Sequence, residues 1–197
     1  MKAVIFLGGA AAKVEVPEAD MIVAADRGWD NALANGVIPD LLVGDMDSIS
    51  GVPDEVEIIR VPCEKDETDT QLAVRIAIER GADEIVMIGQ LSGRGDHTLS
   101  AIFTVESLML RGIKAELRDD RNRVRAVKDG SVTVRRGYKY FGVLSLGRSV
   151  VSEVGCRYPL MERELVRSDP FAVSNEVTGD EAAVTASGDT VLVIESN

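Results

Sequence analysis

The residues best suited to chemistry in this sequence are carboxylates and glycines gathered in three clusters before residue 100. The first cluster contains Asp26 and the closely spaced Asp45 and Asp47, each after a short apolar run. Side chains alternate in an extended segment, so Asp45 and Asp47 point to the same side. Two carboxylates held that close repel each other unless a hard cation lies between them, and Mg²⁺ prefers oxygen ligands. The spacing predicts a magnesium site, while a solvated turn is the competing interpretation because turns also favour Asp.

The second cluster, residues 65–70 with the sequence KDETDT, stands just before a helical pattern. Thr68 and Gln71 have the spacing of a capping box, and acidic residues are favoured at a helix N-terminus. Helix capping alone therefore explains the composition of this cluster. The cluster also follows an apolar strand pattern, which places it at the same sheet edge as Asp45 and Asp47. This position favours a functional interpretation as well.

The third cluster is a glycine-rich loop at residues 89–97, GQLSGRGDH, which leads into a helical pattern. Free backbone N–H groups in such a loop bind phosphate, and Arg94 adds a forked donor. The loop has neither P-loop spacing nor the GxGxxG fingerprint, which disfavours a nicotinamide cofactor. His97, the only histidine, is more often a hydrogen-bonded polar residue than a catalyst at a helix start. Its interest lies in its adjacency to Asp96 and Arg94. Together the clusters predict a magnesium–nucleotide site for phosphoryl transfer.

The elements that position these clusters alternate between strand and helix patterns up to about residue 120. Strands are predicted at 3–7, 21–25, 40–44, 56–61, 84–88 and 114–118, and helices at 28–35, 69–80 and 97–111. The last helix is predicted to carry Leu99, Ile102, Phe103 and Leu110 on one side. The alternation predicts an α/β domain, Rossmann-like, with a mostly parallel sheet and helices on both faces. Open sheets of this kind bind ligands at the carboxyl ends of their strands.

The pattern changes after the charged break at residues 119–123. Short alternating segments follow at 123–127, 131–135, 139–146, 182–186 and 190–195, while 160–167 is predicted to be a helical turn or loop. These segments predict a small all-β sandwich domain. The predicted division is an α/β domain at residues 1–122 and a β-sandwich domain at residues 123–197.

Composition and charge exclude several classes of partner. The 197 residues carry 22 Lys and Arg against 33 Asp and Glu, a net charge of −11. Such a chain is repelled by nucleic-acid phosphates and by anionic membranes, so neither partner is expected. A phosphate substrate then requires a bridging cation. Cys63 and Cys156 form neither a zinc motif nor a disulfide framework, and no apolar run approaches a membrane span. A cytoplasmic protein is expected.

Taken in order, the motifs resemble those of the thiamine pyrophosphokinase family, and the resemblance covers nearly the whole chain. The motifs are Asp26-Arg27-Gly28, residues 39–49 (PDLLVGDMDSI), 65–69 (KDETD), 93–97 (GRGDH), 155–160 (GCRYPL) and 174–176 (SNE). The resemblance implies a homodimer with an α/β catalytic domain, a β-sandwich domain that binds thiamine, and active sites shared between subunits. It implies transfer of a diphosphoryl group from ATP to the hydroxyethyl oxygen of thiamine, with release of AMP.

The resemblance also implies roles for individual residues. The magnesium ligands would be Asp45, Asp47 and Asp69. The ATP site would contain Asp26, Arg27, Lys65, Asp66, Thr68, Arg94 and His97. Asp69, Arg94 and Asp96 would act at the reacting groups, and thiamine would meet Asp96, Ser174, Asn175 and Tyr158. For Tyr158, a core position in the β-domain is the competing interpretation.

Two departures from the family pattern leave other functions open. Arg27 stands where the family commonly has a small residue, and Ser100 where it often has Asn. The alternatives are a pyrophosphokinase for another alcohol such as a pterin, a non-catalytic sensor of thiamine or nucleotide, and a structural subunit. The Ser174-Asn175 motif favours thiamine, and the complete acidic set favours catalysis because a sensor has no need of several like charges.

Overall fold

The computed structural model describes residues 1–9, 13–45, 52, 54–60 and 67–197. The chain forms two compact units. The first comprises residues 1–104 and 112–120, and the second comprises residues 105–111 and 121–197. Each unit is described by itself below.

The first unit is built on a parallel sheet. Its elements are β1 (Lys2–Phe6), β2 (Met21–Ala25), α1 (Gly28–Ala34), β3 (Leu41–Gly44), β4 (Glu57–Arg60), α2 (Asp69–Glu79), β5 (Glu84–Ile88), α3 (Gly95–Leu110) and β6 (Lys114–Arg118), and only the part of α3 after residue 104 is counted with the second unit. The strands lie in the order β4-β3-β2-β1-β5-β6, and every neighbouring pair is parallel. The predicted strands and helices of this half are all present, and the predicted parallel sheet is confirmed.

The centre of this sheet consists of β1 and its neighbours β2 and β5. Residues 3–7, at and just after β1, are completely buried. Such continuous apolar runs are typical of parallel strands that are covered on both faces. Phe6 and Ile88 pack with Ala32 of α1 in one cluster, and Trp29 of α1 packs with Leu42 in another. This packing fixes the carboxyl ends of the central strands, where the predicted site begins.

The buried side of α3 differs from the predicted one. Leu99, Phe103 and Leu110 are exposed by 54%, 43% and 56%. The buried side chains are instead Ala101, Thr104, Val105 and Leu108. The helix is apolar around much of its circumference, so hydrophobicity alone did not identify the packed side.

Among the described residues, no helix combines the length and the apolar character needed to cross a membrane.

The second unit contains antiparallel strands. They are β7 (Asn122–Val127), β8 (Gly130–Arg135), β9 (Tyr140–Ser145), β10 (Arg148–Val154), β11 (Leu160–Val166), β12 (Glu181–Gly188) and β13 (Val191–Ser196). Three strands pair in the order β7-β13-β9 and four in the order β11-β10-β12-β8. Phe141 and Val193 of the first group share one buried cluster with Val151 and Val184 of the second. Both groups therefore contribute to a single core.

Two of these strands were not predicted. β10 was missed, and residues 160–167 were wrongly predicted to be a helical turn or loop, whereas β11 pairs antiparallel with β10. In β10 the inward positions include the polar Ser149 and Glu153, while Val150 and Val154 face outward, so the usual alternation is inverted. β11 lies at the edge of its sheet and is mostly exposed, so its charged sequence shows little alternation.

Candidate active site

A cleft of about 480 Å³ lies at the carboxyl ends of the central strands of the first unit. It is lined by Gly8, Gly9, Ala25, Asp26, Arg27, Glu67, Thr68, Asp69, Thr70, Gln90, Ser92, Gly93, Arg94 and His97. These residues come from the loops after β1, β2 and β5 and from the starts of α2 and α3. Asp26 and the described parts of the second and third clusters therefore lie together at one sheet edge, whereas Asp45 does not line the cleft and Asp47 lies outside the described residues.

Two glycines allow the backbone segments around the cleft to approach one another. A Cβ atom on Gly28, at the start of α1, would lie 1.9 Å from the carbonyl oxygen of Phe6. A Cβ atom on Gly89 would lie 2.8 Å from the carbonyl oxygen of Leu7, and this residue has a φ of +111°. Any larger residue at either position would push its segment away from the end of β1. The cleft thus depends on glycine at these two positions.

The carboxyl group of Asp26 lies within the electrostatic influence of two other carboxylates of the first unit. Asp26, in a left-handed conformation with φ 46°, is half-buried between β2 and α1. Burial is the main cause that raises the pKa of Asp26, and the negative charges of Asp69 and Asp45 raise it further. A hydrogen bond involving the backbone of Arg27 opposes this shift. Like charges that destabilise one another in this way are stabilised by a bound cation.

The donor chemistry of these carboxylates fits magnesium. Asp26, Asp45 and Asp69 are hard oxygen donors, which Mg²⁺ prefers to nitrogen or sulfur. Within the described ranges, no group of three or more His, Cys, Asp or Glu side chains is arranged to hold a metal ion. Three of the predicted site residues lie outside these ranges: Asp47, Lys65 and Asp66.

The N-terminus of α2 forms the predicted capping box. The Thr68 hydroxyl accepts a hydrogen bond from the backbone N–H of Gln71 at 3.2 Å, and the Gln71 side chain accepts one from the backbone N–H of Thr68 at 3.0 Å. The box fixes where the helix begins and thereby places Asp69 as its first residue. For residues 67–70 of this cluster, the helix-capping interpretation is confirmed, and these residues also line the cleft.

Arg94 and Asp96 bind each other at the start of α3. The guanidinium donates to the two carboxylate oxygens at 2.6 and 3.2 Å, and the backbone N–H of His97 donates to Asp96 at 3.0 Å. The Arg94 side chain holds the pKa of Asp96 below its ordinary value, so the carboxyl group is ionised at neutral pH. Both side chains are largely exposed. Arg94 therefore has to exchange Asp96 for any phosphate that it binds, or to bind both.

Gln90 is a cleft residue to which the sequence analysis gave no role. The Thr70 hydroxyl donates to its Oε1 at 3.0 Å, and its Nε2 lies 3.3 Å from Nδ1 of His97. Gln90 has a φ of 60°, which is uncommon for a residue other than glycine. The sequence did offer one indication of a role for Gln90, because it is a polar residue inside a glycine-rich loop at the end of a strand. The side chain links the start of α2 to the start of α3 beneath the cleft.

The predicted thiamine residues of the second unit lie close together. Ser174 is exposed and has a left-handed φ of 61°, and the neighbouring Asn175 is buried. Tyr158 is 57% exposed, and the Arg157 guanidinium carbon lies 5.5 Å from the centre of its ring. The interpretation of Tyr158 as a core aromatic is therefore wrong. Its ring remains accessible to a ligand.

Asn175 connects two segments through its side-chain amide. Its Oδ1 accepts from the backbone N–H groups of Tyr158 at 3.0 Å and of Glu176 at 2.9 Å. Its Nδ2 donates to the carbonyl of Tyr158 at 2.8 Å and to Glu153 at 2.6 Å. Because each polar atom already makes two hydrogen bonds, the amide ties the Tyr158 segment to the Ser174 segment. The exposed Ser174 hydroxyl is better placed for a ligand.

Comparison with known proteins identifies both halves of the chain. Residues 12–117 match the catalytic domain of thiamin pyrophosphokinase, and residues 131–192 match its vitamin B1 binding domain. A thiamine pyrophosphokinase of Bacillus subtilis is 26% identical over 188 residues, which cover 88% of this chain and 86% of that protein.

Solved structures show the same fold. The crystal structure of thiamine pyrophosphokinase from Bacillus subtilis matches with a TM-score of 0.90 and 22% identity, covering 100% of this chain and 99% of that one. A thiamin pyrophosphokinase family protein from Enterococcus faecalis matches with a TM-score of 0.85 and 27% identity, covering 100% and 98%. The two domain matches span most of the sequence in the family's order. The chain belongs to the thiamin pyrophosphokinase family.

Proposed function

We propose that this protein transfers a diphosphoryl group from ATP to the hydroxyethyl oxygen of thiamine, producing thiamine diphosphate and AMP. The observation that carries the proposal is the single cleft that gathers Asp26, Asp69, Arg94 and the glycine-rich loops in a chain of this family. Phosphoryl transfer is catalysed mainly by positioning and by stabilising phosphate charge. Carboxylates for a cation and donors for phosphate are the groups that this reaction requires.

The first unit supplies the phosphate chemistry in this proposal. Asp45, Asp47 and Asp69 hold Mg²⁺, which when bound neutralises and orients the phosphate oxygens. Backbone N–H groups of the glycine-rich loop and the Arg94 guanidinium take the remaining phosphate charge. The other nucleotide contacts are assigned to Asp26, Arg27, Lys65, Asp66, Thr68 and His97. Asp69, Arg94 and Asp96 act at the reacting groups.

The second unit supplies the thiamine contacts. Ser174 presents an exposed hydroxyl, and the accessible face of Tyr158 suits the thiazolium cation. Asn175 holds these two residues together, and Asp96 of the first unit faces thiamine at the reacting end. Residues 1–122 thus form the catalytic domain, with helices on both faces of its sheet, and residues 123–197 form a thiamine-binding β sandwich.

The proposed setting is the cytoplasm, with small molecules rather than nucleic acids or membranes as partners. The net charge of −11 supports this because both polymer phosphates and anionic lipids repel such a chain. Cys156 is free and buried, as expected in a reducing compartment. ATP and thiamine are the proposed substrates.

The proposed assembly is a homodimer in which each active site combines residues of both subunits. The exposed apolar side chains Val150 and Val154 of β10 and Met161 of β11 support an interface between copies. Mixing Asp69→Asn and Ser174→Trp subunits tests the assembly, since each variant alone is expected to be nearly inactive. If the sites are shared, one site of a mixed dimer carries both changes and the other carries none. Mixed dimers that form but stay inactive would show that each site belongs to one chain.

The nucleotide product tests the reaction. The protein is incubated with ATP, Mg²⁺ and thiamine, and the nucleotides are separated and quantified. AMP should form only when thiamine and the divalent cation are both present. Accumulation of ADP with thiamine monophosphate would indicate an ordinary kinase. AMP formation with a pterin alcohol but not with thiamine would favour the alternative acceptor.

A further inference from the structure

A carboxyl group without an assigned role lies in the core of the second unit. Glu153 of β10 is only 2% exposed, and its side chain points inward like that of Val151, two residues earlier. Its register neighbours are Val184 on β12 and Leu160 on β11. Burying a carboxyl group in such surroundings is unfavourable unless the group makes hydrogen bonds. Its presence here therefore calls for a specific partner.

The partner of Glu153 is Asn175. Oε2 accepts a hydrogen bond from Nδ2 of Asn175 at 2.6 Å, and both side chains are buried. In the part of the chain that the structure describes, Oε1 has no hydrogen-bond partner. Burial raises the pKa of Glu153, and the bond from Asn175 partly opposes that shift. The contact with Asn175 is thus the polar interaction that this buried carboxyl group makes.

This contact is one of four that set which way the Asn175 amide faces. The oxygen of an amide only accepts hydrogen bonds and its nitrogen only donates them. Glu153 and the carbonyl of Tyr158 offer acceptors on one side, and the N–H groups of Tyr158 and Glu176 offer donors on the other. Glu153 therefore supplies one of the two acceptors that favour the observed orientation over the flipped one.

The orientation of Asn175 in turn supports Ser174. Ser174 holds a left-handed φ of 61°, a conformation that a residue other than glycine keeps only when its surroundings impose it. The backbone of Asn175 pairs with Phe141 through two hydrogen bonds of 2.8 Å, and its side chain fixes the Tyr158 segment. These contacts fix the backbone of the two segments that carry Ser174 and Tyr158.

We propose that Glu153 is a positioning residue for thiamine: by orienting Asn175, it holds Ser174 and Tyr158 in the geometry that binds the acceptor. The role rests on the proposed function, because Ser174 and Tyr158 are the thiamine contacts assigned there. Glu153 itself does not touch the substrate. Its removal should weaken thiamine binding and leave the ATP site of the first unit unchanged.

Steady-state kinetics of Glu153→Leu and Glu153→Gln test the role in the full-length protein. Leu fills similar space without an acceptor, whereas Gln keeps a carbonyl oxygen for Asn175. Glu153→Leu should raise the KM for thiamine about three- to tenfold, the effect of losing one buried hydrogen bond. The KM for ATP and kcat should change by less than about twofold. Glu153→Gln should retain the wild-type KM for thiamine, which a role based on charge alone does not predict, whereas a role based on packing alone predicts little change in Glu153→Leu.

A donor–acceptor exchange gives a second test if Glu153→Leu does not fold. Asn175→Asp places two carboxyl groups together and should raise the KM for thiamine. Adding Glu153→Gln provides a new amide donor to Asp at position 175, so the double variant should recover at least about threefold of that loss. The single variant Asn175→Asp and the double variant both lack the hydrogen bond to the Tyr158 carbonyl. The difference between their KM values therefore measures only the interaction between positions 153 and 175. Equal KM values for thiamine in the single and double variants would overturn the positioning role.

The outcomes separate this role from the proposed function. Wild-type protein that produces no thiamine diphosphate would contradict the proposed function and the positioning role together. Active wild-type protein with an unchanged KM for thiamine in folded Glu153→Leu would overturn the positioning role alone. Equal increases in the KM values for ATP and thiamine would also overturn it, since they would indicate a general loss of structure.

Discussion

The two units of this protein position their candidate functional side chains in different ways. In the first unit, loops at strand ends present carboxylates and Arg94 to an open cleft, and glycines such as Gly28 allow the loops to approach. In the second unit, the exposed Ser174 and Tyr158 are held by Asn175, which is buried. The side chains of the first unit are thus placed by backbone geometry. Those of the second unit are placed by polar contacts of a buried side chain.

This difference has consequences for stability. The negative charges of Asp45 and Asp69 disfavour the ionised form of the half-buried Asp26, and such repulsion reduces stability until a cation binds. The buried amide of Asn175 instead makes hydrogen bonds at each polar atom, so losing one partner leaves a desolvated group unpaired. Charge removal in the first unit should therefore affect activity more than stability, and removal of polar contacts in the second should affect both.

The largest expected effect is the loss of activity in Asp69→Asn. Asp69 is a proposed metal ligand, and weakening it should lower kcat/KM at least about 100-fold, because the cation supplies several kcal/mol of transition-state stabilisation. The unfolding free energy should change by less than about 1 kcal/mol, since the relieved repulsion offsets a weaker helix-dipole interaction. Kinetics at low Mg²⁺ and denaturant titration check the two values.

Asp30→Asn is the matched control, because Asp30 is an exposed aspartate of α1 that does not line the cleft. It should retain wild-type activity. Near-normal turnover of Asp69→Asn at low Mg²⁺ would exclude a metal role for Asp69. Unfolding of Asp69→Asn would show that this carboxylate acts in capping the helix rather than in catalysis.

The next effect is on stability and tests whether the first unit depends on the close approach of backbone segments that glycine allows. Gly28→Ala should lower the unfolding free energy by about 2–5 kcal/mol, because its Cβ would lie 1.9 Å from the Phe6 carbonyl oxygen. Gly95→Ala is the control, since a Cβ there meets nothing within 4 Å. Thermal unfolding of the two variants gives the comparison. Equal stability would mean that α1 can move away from β1 at little cost.

A smaller effect is expected at the capping box of α2. Thr68→Ala removes the acceptor for the Gln71 N–H and should cost about 1 kcal/mol, whereas Thr68→Ser should retain most of the stability. Denaturant titration of the three proteins measures the difference. If Ala and Ser variants were equally stable, the capping box would not contribute to the placement of Asp69.

The fold of the first unit was largely predictable because its apolar strands alternate with helices that have clear ends. The Thr68–Gln71 spacing gave the start of α2, and the strand-end position of the clusters gave the cleft. The packed side of α3 was not predictable, since apolar residues lie around much of the circumference of this helix and do not mark one side. Gln90 was missed because its role depends on two side chains, Thr70 and His97, that only the fold brings near it.

The second unit was harder to predict for a physical reason. The inward positions of β10 include Ser149 and Glu153, so the alternation used to recognise strands is inverted there. The charged edge strand β11 contains Glu and Arg, which are also good helix formers. Asn175 was recognised as part of a motif, but sequence alone did not show that its amide faces inward.

The smallest expected effect is a change in the pH dependence of stability, and it concerns the buried pair of the second unit. Burial raises the pKa of Glu153 above its ordinary value of 4.5. At a pH between the ordinary pKa and the raised pKa of Glu153, the folded protein holds a proton that the unfolded chain has released. Wild-type stability therefore falls as the pH rises through this interval. Glu153→Gln does not titrate, so its stability relative to wild type should increase as the pH rises above about 4.5.

Unfolding transitions of wild type and Glu153→Gln at several pH values measure this difference. Glu181→Gln, at the exposed start of β12, is the control for a general effect of removing a carboxylate. The stability difference between wild type and Glu153→Gln could instead stay constant over these pH values. That result would show that Glu153 keeps the same protonation state in the folded and unfolded protein.

The most direct test of the account follows the phosphorus atoms of ATP. The protein is incubated with thiamine, Mg²⁺ and ATP that carries ³²P at the β position, and the products are separated. Diphosphoryl transfer predicts that the label leaves the nucleotide and appears in thiamine diphosphate, with unlabelled AMP as the other product. Label that stays in the nucleotide as ADP, together with unlabelled thiamine monophosphate, would contradict diphosphoryl transfer by this protein.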